Sequence, residues 1–215
     1  MFDRLAHDLR GPLTPLRTAA FLLRRGDLAP DRQSELLDII DRQTARLSRM
    51  LQEVADWQCA VEERLLFRPE ASELELLIAN ALDGFQPDDA VRIELADEVK
   101  TAGIAGDAQR LVQMFAILLA YAQTRAVDGT VCLSGYCEAS GVVVEIRCRT
   151  DENIPVNGEG RIDFTRPQAK PFDEGLGWRL MIANAIALAH GEALEVGADG
   201  DRDLLCIRVR LPVQA

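Results

Sequence analysis

The first 57 residues repeat apolar side chains at intervals of three and four positions, and this pattern constrains the fold more than any other feature. Such spacing places apolar side chains along one stripe of an α-helix. One stripe runs through residues 2–24 and a second through residues 31–57. The break between them ends in Pro30, which suits the first turn of a helix. The sequence therefore predicts two long helices that form an antiparallel hairpin.

The second stripe has the spacing of a coiled-coil seam. Its members are Leu37, Ile40, Thr44, Leu47, Leu51 and Val54. A single hairpin cannot cover such wide apolar faces from water. We therefore expect residues 1–59 to form a homodimer in which two hairpins build a four-helix bundle.

The pattern changes after residue 59. Residues 60–72 are interpreted as a linker and residues 73–215 as a second domain. Helices are predicted over 73–85, 106–124 and 177–190, and strands over 91–95, 130–136, 141–148, 193–197 and 204–211. A hairpin turn is predicted at 138–141 and a long irregular loop at 150–174. The predicted fold class is an all-α helical hairpin followed by an α+β sandwich.

Composition excludes several classes of function. The chain has 24 basic and 35 acidic residues and a formal net charge of −11, which argues against binding to nucleic acid or to an anionic membrane surface. No apolar run reaches the length of about 18 residues that a membrane span needs. The five cysteines show no CxxC spacing and the chain has two histidines, so reduced thiols and no metal site are expected. These features predict a cytoplasmic protein with no nucleic-acid partner and no membrane contact within this chain.

The most informative local segment surrounds His7. The histidine lies off the apolar stripe of the first helix and is expected to be exposed. Asp8 can hydrogen-bond one imidazole nitrogen, fix the tautomer and leave the other nitrogen nucleophilic. Pro12 removes one backbone hydrogen bond and is expected to bend the helix about one turn later. The residues alone leave two interpretations, a nucleophile or an ordinary solvent-facing histidine.

The segment FDRLAHDLRGPLTPL at residues 2–16 resembles the H-box of sensor histidine kinases. Further segments resemble the same family in the family's order: LLFRPEASELELLIANAL at 65–82, GDAQRLVQ at 106–113, GLGWRL at 175–180 and AHGEALEV at 189–196. The resemblance covers some 200 residues. It implies that His7 accepts a phosphoryl group, that residues 1–59 form the dimerisation and histidine-phosphotransfer domain, and that residues 73–215 form the catalytic ATP-binding domain.

The family pattern fails at the expected nucleotide site. The resemblance places Ile117 and Tyr121 where the family has two asparagines, one of which holds the magnesium on the ATP phosphates. A hard cation needs oxygen ligands, so Ile117 predicts a degenerate site. The first glycine box admits two registers, one using Asp151 and one using Gly158 and Gly160, and neither restores the whole box.

Two further glycine positions bear on activity. Gly175 and Gly177 correspond to the second glycine box, which the resemblance assigns to ATP binding. The simpler interpretation, which we favour, is a tight turn that starts a packed helix. Gly11 stands where family members with phosphatase activity often have Thr or Asn, which leaves that activity open.

These observations favour a two-component phosphorelay protein. His7 would carry a phosphoryl group to and from receiver-domain aspartates of response regulators, with Asp8 orienting the imidazole and Arg10 contacting the phosphoryl group. The receiver would bring its own Mg²⁺, so this chain would need no cofactor. Pro12 would belong to the same site through its effect on the helix.

Two alternatives remain at the level of the sequence. One is a sensor histidine kinase core that autophosphorylates His7 from ATP and Mg²⁺, and the other is a non-catalytic pseudokinase that acts as scaffold or inhibitor. His7 follows Met1 so closely that an upstream sensory segment is conceivable, and its presence would favour the kinase.

Overall fold

The computed structural model describes residues 2–65, 69–85, 90–138, 141–151, 164, 166–169, 172, 174–191, 193–198 and 203–213. The chain divides into two compact units. The first comprises Met1–Gln58 together with Gln168–Trp178, and the second comprises Cys59–Pro167 with Arg179–Ala215. The predicted fold class is confirmed, because a helical hairpin is followed by a domain built on a β-sheet.

The hairpin consists of α1 (Phe2–Arg24) and α2 (Pro30–Val61). Pro30 opens α2 as predicted, and Asp31 lies in its first turn, where a negative charge is favourable. The helix α1 continues through Pro12 and Pro15 as one element. The end of α2 extends into the segment that the sequence assigned to the linker.

Two faces of α2 have opposite environments. One face is buried and carries Leu36, Met50, Glu53 and Asp56. The predicted seam is much more open, since Leu37 is 48% and Leu51 59% exposed in the single chain. The apolar seam therefore remains available on this hairpin.

The second unit contains seven strands and four helices among the described residues. In chain order they are β1 (Pro69–Glu73), α3 (Leu74–Leu82), β2 (Ala90–Leu95), α4 (Asp97–Lys100), β3 (Gly103–Asp107), α5 (Ala108–Gln123), β4 (Thr130–Glu138), β5 (Gly141–Arg149), α6 (Arg179–Ala189), β6 (Glu195–Ala198) and β7 (Leu204–Leu211). Five strands form one mixed sheet in the order β2-β4-β5-β7-β6, and β1 pairs with β3 in a separate ribbon.

The register of β4 and β5 confirms the predicted hairpin, because Glu138 pairs with Gly141 across it. The strand β2 runs parallel to β4, whereas the other neighbours in the large sheet are antiparallel. The strand β1 corrects the interpretation of residues 60–72 as a linker, since residues 69–72 belong to it, and neither its pairing with β3 nor the short helix α4 was predicted. Their sequences, PEASE, GIAGD and DEVK, are too short and too polar to show a period.

The core of this unit centres on α5, which packs against α3 and α6 and against the sheet. Asp107 caps α5 by accepting from the Arg110 amide at 3.1 Å. The amide of Asp107 in turn donates to His190 Nε2 at 3.0 Å, while Nδ1 lies 2.7 Å from the Ile186 carbonyl. A Cβ at Gly106 would lie 2.2 Å from the His190 ring, so only glycine fits. The start of α5 is thereby fixed against the end of α6.

All five cysteines are free thiols, as the sequence predicts. Cys148 is buried, and its Sγ lies 3.4 Å from the Ala122 carbonyl. Burial raises the pKa of this thiol to about 11, so it stays protonated at neutral pH.

Candidate functional site

His7 projects from α1 with 84% of its side chain exposed. Its Nδ1 lies 3.2 Å from Asp8 Oδ1, and this contact favours the tautomer that carries the proton on Nδ1. The Nε2 atom then keeps its lone pair, and within the described part of the chain no hydrogen bond reaches it. An exposed imidazole nitrogen with a fixed tautomer is a competent nucleophile.

The next turn of α1 supplies the other predicted residues of this site. Arg10 is exposed three positions after His7, so the two side chains share one side of the helix. Pro12 is buried and has no amide to donate to the carbonyl four residues earlier. The Thr14 hydroxyl donates to the Arg10 carbonyl at 3.3 Å. His7, Asp8, Arg10 and Pro12 therefore lie on one short stretch of helix.

The positions expected for magnesium-binding asparagines lie inside the core. Ile117 is 3% exposed and Tyr121 is fully buried on α5. The Arg125 guanidinium stacks over the Tyr121 ring at 4.3 Å from its centroid. An isoleucine and a buried phenol do not supply the oxygen ligands that Mg²⁺ prefers. These two side chains do not fit the ion that the family resemblance implies.

Asp151 lies elsewhere on this unit, at the edge of a shallow cavity of about 220 Å³. The cavity is lined by Val127, Asp128, Arg149, Thr150, Asp151 and Asp203. The other register of the first glycine box, Gly158 and Gly160, lies outside the described residues. Within the described ranges no group of three or more His, Cys, Asp or Glu side chains could hold a metal ion.

The second glycine box forms a tight turn. Gly177 has a φ of +81°, which glycine adopts at little cost. A Cβ there would lie 2.6 Å from the Gln168 carbonyl oxygen, and the Gln168 amide donates to the Gly177 carbonyl at 2.9 Å. The turn runs directly into α6. The geometry of this turn therefore explains why position 177 is a glycine without any reference to nucleotide binding.

One buried contact in the helical unit was not predicted, and it centres on Glu53. Glu53 of α2 is 4% exposed, and its carboxylate accepts from the Leu176 and Trp178 amides. Trp57 lies beside it, with its ring centroid 6.4 Å from that of Trp178. Arg46 Nε donates to the Glu174 carbonyl at 2.9 Å. Arg46, Glu53 and Trp57 are seven and four positions apart, and this helical spacing is the sequence signal that places them on one face of α2.

The first 59 residues match the His Kinase A (phospho-acceptor) domain. Among solved structures, the histidine kinase AdeS of Acinetobacter baumannii superposes with a TM-score of 0.75 at 17% identity, covering 97% of this chain and 98% of that chain. The histidine kinase ThkA in complex with response regulator protein TrrA gives 0.71 at 17% identity, over all of this chain and 61% of that chain. Full-length ShkA in complex with AMPPNP gives 0.62 at 19% identity, over 99% of this chain and 46% of that chain.

A curated relative, a bacteriophytochrome of Pseudomonas aeruginosa, is 29% identical over 228 residues. The match covers 98% of this chain but only 29% of that protein. The fold of the chain is similar to that of solved histidine kinases, and the match to the phospho-acceptor domain contains the His7 segment. The similarity in fold extends over both the helical hairpin and the sheet domain. In the described part of the chain no helix is both long enough and apolar enough to cross a membrane.

Proposed function

We propose that this chain is a phosphorelay protein in which His7 exchanges a phosphoryl group with receiver-domain aspartates of response regulators. The observation that carries the proposal is the exposed His7 imidazole with Asp8 at its Nδ1 and an open Nε2. An exposed atom of this kind is suited to react with a group that a partner protein carries.

The chemistry follows from the tautomer. The Nε2 lone pair attacks the phosphorus of an aspartyl phosphate, an N–P bond forms and the P–O bond to the aspartate breaks. The electron pair leaves with the aspartate carboxylate. The Nδ1 proton stays on the ring, where the Asp8 carboxylate stabilises the positive charge that develops on the imidazole. The reverse sequence passes the phosphoryl group to a second receiver.

Partners and assembly are part of the same proposal. ThkA is a histidine kinase with this fold that forms a complex with its response regulator, which supports a receiver domain as partner. The open α2 seam supports pairing of two copies through residues 1–59, since it exposes large apolar side chains. The proposal needs no cofactor on this chain, because the receiver brings its own Mg²⁺.

The second candidate is an ATP-dependent autokinase. It is favoured by the retained glycine turn and by ShkA, which has this fold and was solved in complex with AMPPNP. Against it stand Ile117 and Tyr121, which offer no magnesium ligand at the expected positions. We therefore rank it second.

The test is transfer of label from receiver domains that carry radioactive phosphate on their aspartate. We expect wild type to take up label that is stable to base and labile to acid, as a phosphohistidine is. His7→Gln should take up none, and Arg17→Ala, an exposed arginine of the same helix, should behave as wild type. Equal label on His7→Gln would refute the proposal. Label that arrives on His7 only from ATP and Mg²⁺ would establish the autokinase instead.

A further inference from the structure

The turn before α6 presents two backbone amides to one point. The amides of Leu176 and Trp178 flank Gly177, whose positive φ turns them to the same side. In the chain these residues come immediately before α6. Convergent amides at the start of a helix form a place where an anion is stabilised.

An anion of the chain itself already occupies this place. The Leu176 amide lies 3.1 Å from Glu53 Oε1 and 3.2 Å from Oε2, and the Trp178 amide donates to Oε2 at 2.9 Å. The carboxylate is almost completely removed from water. Burying a charge is expensive unless it is fully hydrogen-bonded, and these charge-assisted bonds offset that cost.

Neighbouring contacts hold Glu53 in place. Arg46, about two turns before Glu53 on the same face of α2, donates to the Glu174 carbonyl, and Trp57, one turn after Glu53, packs against Trp178. Met50 lies between them and is fully buried. These contacts on either side of Glu53 along α2 hold its carboxylate at the turn.

We propose that Glu53 is a built-in competitor that keeps the Leu176 and Trp178 amides closed to phosphate-bearing ligands. A phosphate chain can use these amides only after the carboxylate has left. Because Glu53 belongs to the same chain, it competes at a high effective concentration. The apparent affinity for any such ligand equals the intrinsic affinity multiplied by the fraction of molecules in which Glu53 is displaced.

Competition by Glu53 at the second glycine box does not depend on phosphoryl transfer at His7. The Glu53 carboxylate in the turn and the lack of a magnesium ligand are two independent obstacles to nucleotide binding. Removal of Glu53 lifts only the first of them. The appropriate probe is therefore inorganic tripolyphosphate, which has neither a base nor a need for adenine contacts.

The experiment titrates tripolyphosphate into wild type, Glu53→Gln and Glu53→Ala and follows tryptophan emission. The chain has two tryptophans, and both Trp57 and Trp178 lie at this contact, so the emission reports it directly. We expect both variants to bind at least about tenfold more tightly than wild type. Asp41→Asn, which removes an exposed negative charge from the same helix, should bind as wild type does.

Equal affinity of wild type and both Glu53 variants would overturn the proposal. So would an equal gain in Asp41→Asn, because it would assign the effect to net charge. Glu53→Gln keeps the side-chain size, which guards against collapse of the contact in Glu53→Ala. Amide shifts of Leu176 and Trp178 on binding give the second readout. No phosphoryl group moves in this assay, so a failure of the His7 proposal leaves its outcome unchanged.

Discussion

His7 and Glu53 lie in the same helical unit, yet their surroundings are opposite. The imidazole is 84% exposed and has one carboxylate as neighbour, whereas Glu53 is 4% exposed and is surrounded by amides and aromatic rings. Exposure suits a group that must meet another protein. Burial suits a group whose binding partners belong to the same chain. The comparison predicts that changes at His7 alter chemistry and changes around Glu53 alter stability.

The largest change in stability is expected from Gly177→Ala in the turn that faces Glu53. A Cβ there combines a positive φ with a backbone oxygen at 2.6 Å. Together they should lower the free energy of unfolding by about 2–4 kcal/mol. Urea unfolding, monitored by tryptophan emission, measures this loss in the free energy of unfolding.

Gly129→Ala is the control, since its φ is +68° and nothing lies within 4 Å of the added Cβ. It isolates the backbone strain, so its loss should be smaller than that of Gly177→Ala. Equal losses would show that the contact with Gln168 contributes nothing.

At the exposed end, Asp8→Asn tests whether the carboxylate acts on the ring. An amide cannot stabilise the imidazolium charge and permits the wrong tautomer, so the rate of label transfer should fall about tenfold, or about 1.4 kcal/mol. The free energy of unfolding should stay within about 0.5 kcal/mol of wild type, as for other surface positions. If Asp8→Asn lowered the free energy of unfolding but left the rate of label transfer unchanged, Asp8 would have a structural role and not a chemical one.

Gly11→Ala should stabilise the chain. Gly11 is exposed within α1 and an added Cβ meets nothing within 4 Å, so the gain from helix propensity is about 1 kcal/mol. Ala45→Gly, at an exposed position of α2, should lose a similar amount. Thermal unfolding by circular dichroism checks both, and a loss on Gly11→Ala would indicate that this position is constrained.

The smallest effect is expected at Arg46, whose single hydrogen bond to the Glu174 carbonyl is partly open to water. Arg46→Ala should cost about 0.5–1 kcal/mol. Arg49→Ala, from an exposed position one turn on, should cost less. Urea unfolding of the two variants side by side decides whether this bond contributes to the contact.

Long periodic elements were predictable and short polar ones were not. The bounds of α1 and β7 agree with the predictions because each element carries a long apolar repeat in its sequence. The ribbon of β1 and β3 exists only because two distant segments pair, and PEASE and GIAGD carry no sign of it. At the site, His7 was predicted because one continuous segment, residues 2–16, resembles the H-box of sensor histidine kinases. Glu53 was missed because its partners lie more than 120 residues away.

The two prolines of α1 have a consequence for the helix that presents His7. Neither Pro12 nor Pro15 can donate to the carbonyl four residues before it, so the Asp8 and Gly11 carbonyls lack their usual helical donors. Two backbone hydrogen bonds are therefore missing from α1 just after His7. Each omitted bond removes about 1 kcal/mol of net local stabilisation. The stretch that carries His7 is therefore the part of α1 that should exchange its amide protons with solvent first.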